Sequence, residues 1–319
     1  MFVGLDIGGT NIKSVLADEN GKILQISDAP TAKTPKLMNE GIVSLINKLT
    51  SGAGIDKCEI EAVGIGAAGS IDRKNGVVIS SPNIPCLKNY PLVARLEEIL
   101  GNKVFLENDA TVACAGFWFQ NRTKNYKTFV MVTLGTGIGG GAVIDGRLFT
   151  GQNGSSLEIG HMTIDINGRE CNCGNRGCLE KYASATALVD YSMTHLKEYK
   201  NSSLHKMIKN DRLTAKIIYE EALKNDELAI NSFEYISSHL GAGIANIVNI
   251  FNPEAVIIGG GLSNAHKLII PTVKRVVSER AMKGMKERVK IFAVKNQSVI
   301  PALGAAKIAM DRLRAVRNF

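Results

Sequence analysis

The chain has 319 residues, enough for two domains of about 150 residues each and for a core that needs no disulfide staples. With 45% hydrophobic and 21% charged residues it falls outside the disordered and collagen-like classes. The net charge of +8 arises from 38 Lys+Arg against 30 Asp+Glu spread along the chain, with only a loose cluster at Arg312, Arg314 and Arg317, so a nucleic-acid stripe is excluded. No run of about 18 apolar residues is present to span a membrane. The segment Met1 to Asp6 lacks a basic stretch followed by an apolar run and a cleavage site, so a cytoplasmic protein without a secretory signal is expected. Six cysteines, three of them crowded between 171 and 178, point in that compartment to metal rather than disulfides.

In chain order, Phe2 to Leu5 reads as an apolar strand, followed by Asp6-Ile7-Gly8-Gly9-Thr10 and a second strand near Ile12 to Ala17. Asn20-Gly21 marks a turn and Ile23 to Ile26 a third strand. A helix is expected over Leu37 to Leu49, a buried strand over Ala62 to Ile65, a helix over Leu92 to Leu100, and a strand over Lys103 to Leu106. That strand runs into Glu107-Asn108-Asp109, with a helix from Ala110. The opening pattern then recurs: a strand from Phe129 to Leu134, the turn Gly135 to Gly141, a strand from Ala142 to Ile144, the turn Asp145-Gly146, and a strand from Arg147 to Phe149. Such a recurrence is an internal duplication at domain scale, and two related lobes would enclose a cleft. Helices follow over Ala185 to Leu196, Leu213 to Leu223 and Leu228 to Phe251, the last stopped by Asn252-Pro253. A buried strand, Ala255 to Ile258, leads through Gly259-Gly260-Gly261 into another helix. Pro301 to Leu313 is the final one.

Phosphate is bound by backbone N–H groups at close range, which glycine permits. Asp6-Ile7-Gly8-Gly9-Thr10 suits that use and adds a carboxylate able to hold hydrated Mg²⁺; a plain glycine hairpin reads equally well. Gly135-Thr136-Gly137-Ile138-Gly139-Gly140 spells the dinucleotide fingerprint, but strand residues follow it where a helix is required, so NAD is rejected. Two such turns in paired lobes could clamp a triphosphate. Gly259-Gly260-Gly261 offers bare backbone to a nucleoside, or simply a tight strand-to-helix turn.

Cys171, Cys173 and Cys178, with His161 upstream, supply three thiolates and an imidazole for a closed tetrahedral zinc site, which is structural because no coordination position stays open. Zinc there would brace Glu158 and Glu180, whose carboxylates suit sugar hydroxyls. Asp109, at a strand end, fits either a general base for phosphoryl transfer to an alcohol or the N-cap of the helix that follows.

Taken together, Asp6-Ile7-Gly8-Gly9-Thr10, Glu107-Asn108-Asp109, Leu134-Gly135-Thr136-Gly137, Glu158-Ile159-Gly160-His161 and Cys171-x-Cys173-Gly174-x-x-Gly177-Cys178-x-Glu180 resemble the ROK family of sugar kinases and repressors. The resemblance implies an α/β, two-lobed actin-like fold (ribonuclease-H-like, hexokinase-type) with a cleft. Residues 1–117 plus 301–319 would form the smaller lobe, and 118–300 the larger one carrying the zinc. It implies ATP, Mg²⁺, structural Zn²⁺, and transfer of the γ-phosphate to a hexose, usually at its 6-hydroxyl, by a homodimer; the spread charge and the hydropathy make neither nucleic acid nor a membrane an expected partner. Asp109 becomes the catalytic base. Asp6, Gly8, Gly9, Thr10, Lys13, Thr136 and Gly137 match the phosphate side, and Gly259, Gly260 and Gly261 the adenosine side. Asn83, Asn108, Asp109, Glu158, His161 and Glu180 match sugar contacts, with His161 also a metal ligand alongside Cys171, Cys173 and Cys178. Members act on glucose, allose, N-acetylmannosamine, fructose or glycosides. The family usually has glycine directly before the glutamate of the Glu-His motif. Leu157 stands there, and its bulk is expected to reshape the loop over the sugar. Repressors of the family carry a DNA-reading domain before the first glycine turn, for which no room is expected ahead of Asp6.

Overall fold

The computed structural model describes residues 1–120, 126–152, 156–210, 213–294 and 298–317. The chain divides into two compact units. One comprises Met1–Lys127, Gly141–Leu157 and Gln297–Phe319; the other comprises Thr128–Gly140 and Glu158–Asn296. No helix among the described residues is long and apolar enough to cross a membrane.

The first unit is built on a five-stranded sheet. Strands β1 (Phe2–Ile7), β2 (Asn11–Ala17) and β3 (Ile23–Pro30) form an antiparallel meander. On the other side of β1, β4 (Ala62–Ala67) and then β7 (Lys103–Asn108) add in parallel, giving the order β3-β2-β1-β4-β7. The sequence FVGLDI of β1 is nearly all apolar because β1 is the central strand of this mixed sheet and both its faces are covered. A small hairpin, β5 (Ser70–Asp72) with β6 (Val77–Ser80), follows β4.

Helix α1 (Pro35–Ala53) starts where Thr34 accepts the Leu37 N–H and Pro35 presets the first turn. It ends at Gly54, whose φ of 68° is the left-handed cap. Its buried Met38, Ile42, Leu45 and Leu49 recur at helical spacing and pack into one core with Val3, Leu5, Ile65 and Leu106. Helices α2 (Leu92–Leu100) and α3 (Asp109–Gln120) flank β7 in sequence. The C-terminal helix α10 (Ile300–Arg317) lies so close to the sheet that a Cβ added to Gly64 would stand 1.9 Å from the Ala305 carbonyl oxygen. Backbone meets backbone there, and the last helix is thereby fixed against β4.

The second sheet repeats the first. Strands β8 (Phe129–Leu134), β9 (Ile138–Ile144) and β10 (Arg147–Phe149) are continued by parallel β11 (Ala255–Gly259) and β12 (Lys290–Ala293), in the order β10-β9-β8-β11-β12. The expected duplication is therefore present strand for strand: β1, β2, β3, β4 and β7 correspond to β8, β9, β10, β11 and β12. The β9–β10 turn uses Asp145 and Gly146, both at positive φ, as a two-residue hairpin requires.

Short helices α4 (Glu180–Ala183), α5 (Ala185–His195), α6 (Leu204–Asn210) and α7 (Ala215–Ala222) belong to the second unit, with the long α8 (Glu227–Phe251) and α9 (His266–Arg280). Helix α8 is capped by Asp226 and stopped by left-handed Asn252 before Pro253. Its buried Phe233, Ile236, Leu240, Ile244 and Val248 form the core-facing stripe.

Candidate active site and metal centre

In the first unit, the candidate residues gather where β1, β4 and β7 end. Register places Asp6 opposite Gly66, and Gly66 opposite Glu107, so Asp109 follows two residues beyond the same edge. Lys13 of β2 is the cross-strand partner of Asp6. The β1–β2 turn is closed by the Gly8 N–H donating to the Asn11 carbonyl at 3.1 Å. The Thr31 hydroxyl donates to the Gly8 carbonyl at 2.6 Å. Gly9 and Thr10 are exposed at its tip. Asn83 packs against that tip: a Cβ on Gly9 would stand 2.9 Å from the Asn83 Cβ. A residue expected at the sugar and residues expected at phosphate are thus neighbours.

The cap of α3 falls one residue before Asp109. Asn108 Oδ1 accepts the Ala110 N–H at 2.9 Å and the Thr111 N–H at 3.4 Å, so Asn108 is the cap of α3. The Asn108 amide also donates to the Gly69 carbonyl at 3.3 Å. Asp109 Oδ1 shares the Ala110 N–H at 2.9 Å, and its Oδ2 has no protein donor among the described residues. Burial pushes the Asp109 carboxyl above its ordinary range. Burial also pushes Asp6 up, to about 7, with the Asp109 charge adding to the rise and Lys13 opposing it. Two like charges at one sheet edge are a donor set that a divalent cation would suit.

This pair has a measurable consequence. The native state holds the Asp6 proton up to about pH 7, whereas the unfolded chain releases it near its ordinary 3.8. Stability from this group is therefore lost as pH rises through that window. Asp6→Asn is expected to raise the melting temperature at pH 7.5 and to leave it unchanged near pH 4. Equal melting temperatures at pH 7.5 would contradict it.

In the second unit, the β8–β9 turn is held from below by the start of α4 and α5. The Gly135 N–H donates to the Gly137 carbonyl at 2.9 Å, the Ala185 N–H to the Gly135 carbonyl at 2.9 Å, and the Thr186 hydroxyl to the Thr136 carbonyl at 2.8 Å. Glu180 Oε2 accepts the Ile138 N–H at 2.9 Å. A Cβ on Gly137 would stand 2.1 Å from that oxygen, so glycine is what lets the carboxylate reach the turn. The contact between Glu180 and the 135–137 turn spans more than 40 residues and leaves no periodic signal in the sequence. Gly259, Gly260 and Gly261 join β11 to a short 3₁₀ turn before α9, and the Ser263 hydroxyl donates to the Gly260 carbonyl at 2.7 Å.

His161, Cys171, Cys173 and Cys178 converge with all four candidate ligand atoms within 4.8 Å of one another. Cys173 Sγ lies 3.7 Å from Cys178 Sγ, and Cys171 Sγ lies 3.7 Å from His161 Nδ1. A tetrahedron with metal–sulfur bonds of about 2.3 Å has sulfur–sulfur edges of about 3.8 Å, so the residues fit zinc. Burial and the neighbouring thiols push the Cys178 thiol up to about 12, the penalty a bound cation would remove. The chain reverses through Gly177 at φ 69°, where a Cβ would collide with the Asp165 carbonyl at 1.6 Å. With Nδ1 turned to the sulfurs, His161 keeps Nε2 for another partner. The loop is also gripped outside the cluster: the Arg169 N–H donates to the Tyr182 hydroxyl at 2.8 Å.

Glu158 is exposed, just before the turn Ile159–His161, and its carbonyl accepts the His161 N–H at 2.9 Å. Leu157 sits at φ 60°, a left-handed conformation that disfavours any side chain, and this accounts for glycine being the simpler choice at the position. Leu157→Gly is expected to be more stable than Leu157→Ala by about 1 kcal/mol in denaturant melts, because both lose the side chain and only glycine loses the strain. The opposite order would contradict a strained backbone.

The ROK family model matches residues 2–312. A glucokinase of Thermotoga maritima is 37% identical over 315 residues, covering 98% of each chain. The crystal structure of a ROK family glucokinase from Streptomyces griseus, in complex with glucose and AMPPNP, superimposes with a TM-score of 0.82 at 31% identity, covering 97% of this chain and 99% of that one. A xylose repressor of Bacillus subtilis is 30% identical over 97% of this chain and 77% of its own length.

Proposed function

The chain belongs to the ROK family, and on that footing we propose that it transfers the γ-phosphate of ATP to a hexose, with glucose the first candidate and the 6-hydroxyl the acceptor. The observation that carries the reading is Asp109, half-buried at a strand end, released from helix capping by Asn108 and with a carboxylate oxygen unengaged. A full-length likeness to glucokinases supports the substrate class.

In this proposal the sugar hydroxyl loses its proton to Asp109 as its oxygen bonds to the γ-phosphorus, and ADP leaves as the bridging P–O bond breaks. Burial raises the basicity of Asp109, which strengthens it as a proton acceptor at neutral pH. Asn83, Asn108, Glu158, His161 Nε2 and Glu180 hydrogen-bond the other hydroxyls. Gly8, Gly9, Thr10, Lys13, Thr136 and Gly137 hold the phosphates, and Gly259 to Gly261 lie under the nucleoside. Asp6 would hold Mg²⁺, whose charge offsets that developing on the phosphoryl group. His161, Cys171, Cys173 and Cys178 would hold zinc, which supplies rigidity to the segment carrying Glu158 and Glu180.

The test is purified protein with Mg-ATP against glucose, mannose, allose, fructose, N-acetylglucosamine and N-acetylmannosamine, following ADP release. Release that depends on a hexose supports the proposal and names the substrate. Sugar binding without ADP release would replace it with a sensing role, as the repressor relative suggests.

A further inference from the structure

Glu107 is the most deeply buried carboxylate near the candidate site, 1% exposed, and the mechanism proposed above gives its charge no part. Its surroundings are nonetheless built for it. Oε1 accepts the backbone N–H of Asn108 at 3.1 Å. Oε2 is paired with the Arg312 guanidinium from α10 and with Arg73 Nη1 at 3.4 Å, from the segment after β5. The second Arg312 nitrogen, Nη1, donates to the Leu106 carbonyl at 3.0 Å. One guanidinium therefore grips two consecutive residues of β7, and the carboxylate it holds grips the next. The residue after that is Asp109.

Burying such a group costs several kcal/mol per ion unless it is well paired, and an apolar residue would fill the space more cheaply. Arg312 is itself largely covered, with its side chain 24% exposed. The planar fork of arginine suits a simultaneous grip on a carboxylate and a carbonyl, which a lysine cannot reproduce. The sequence presents Arg312 merely as part of a loose basic cluster with Arg314 and Arg317. Those two pair with Glu19 and Glu61 at the surface, so Arg312 differs from them in kind.

We propose that Arg312, acting through Glu107, is a positioning residue for the catalytic base: the C-terminal helix sets the direction of the Asn108–Asp109 segment by clamping the end of β7. The inference rests on the reading of Asp109 as the base.

The test measures kcat, KM for hexose and KM for ATP, per folded molecule, for Arg312→Gln, Arg312→Lys and Asp109→Asn. Both Arg312 variants should lose kcat by about tenfold or more with KM for ATP within about twofold of the parent. Arg312→Lys, which keeps the charge and serves if the glutamine variant fails to fold, should recover thermal stability and not kcat. A merely structural arginine would lower the melting temperature and leave kcat of the folded fraction intact. Unchanged kcat in folded Arg312→Lys, with Asp109→Asn inactive, would overturn the positioning role alone. An active Asp109→Asn would overturn the base and the positioning role together.

Discussion

Asp109→Asn is expected to lower the rate of hexose phosphorylation by about 10²–10⁴-fold, the usual worth of a general base, with little change in nucleotide or sugar affinity. The substitution is isosteric. Asparagine can still accept the Ala110 N–H that Oδ1 accepts at 2.9 Å, and Asn108 still caps α3, so the helix start survives. Removing a carboxylate that burial disfavours should also raise the melting temperature at neutral pH, because the wild-type group resists ionisation in the folded state. A variant that is both more stable and inactive would separate catalysis from folding cleanly. Near-normal turnover would remove Asp109 from the mechanism. Relief of the like-charge pair should also lower the Asp6 value below about 7, since Asp109 is one cause of its rise.

Cys178→Ser has the next largest expected effect. Cys178 is fully buried and 3.7 Å from Cys173 Sγ, so serine removes a ligand from a closed set that cannot rearrange to replace it. Zinc content should fall from about one per chain to near zero, and hexose affinity should weaken by about tenfold to a hundredfold. The reason is connectivity. Glu180 lies two residues beyond Cys178, and Glu158 three before His161, so loosening the cluster loosens both carboxylates. Glu180 also holds the β8–β9 turn through the Ile138 N–H, so phosphate contacts should suffer to a lesser degree. Loss of zinc with hexose affinity intact would show that the Arg169–Tyr182 contact and the surrounding helices hold the loop unaided.

Much of this architecture was legible in the sequence because glycine punctuates it. The turns at Gly8-Gly9 and Gly135 to Gly137, each between apolar runs, gave both meanders and their duplication. The clustering of His161, Cys171, Cys173 and Cys178 was legible because the four residues lie within eighteen positions, close enough for spacing to carry the chemistry. Three kinds of feature were not. Short strands such as β5 and β12 carry too few residues for periodicity to register. Gly139 to Gly141 read as turn yet belong to β9; a Cβ at Gly141 would stand 2.5 Å from the Cys114 Cβ, so α3 demands the small residue there. Packing, not strand propensity, sets those glycines. Long-range partnerships also left no trace. Glu180 reaches the Ile138 N–H across more than 40 residues, and Arg312 reaches Glu107 across more than 200.

The most direct measurement is phosphorus NMR of the protein incubated with Mg-ATP and glucose. The account predicts that the ATP γ-phosphate signal is replaced, in step with ADP, by a phosphate ester on the sugar 6-oxygen. Conversion to inorganic phosphate at the same rate with and without sugar, or ATP left intact while glucose binds, would contradict it.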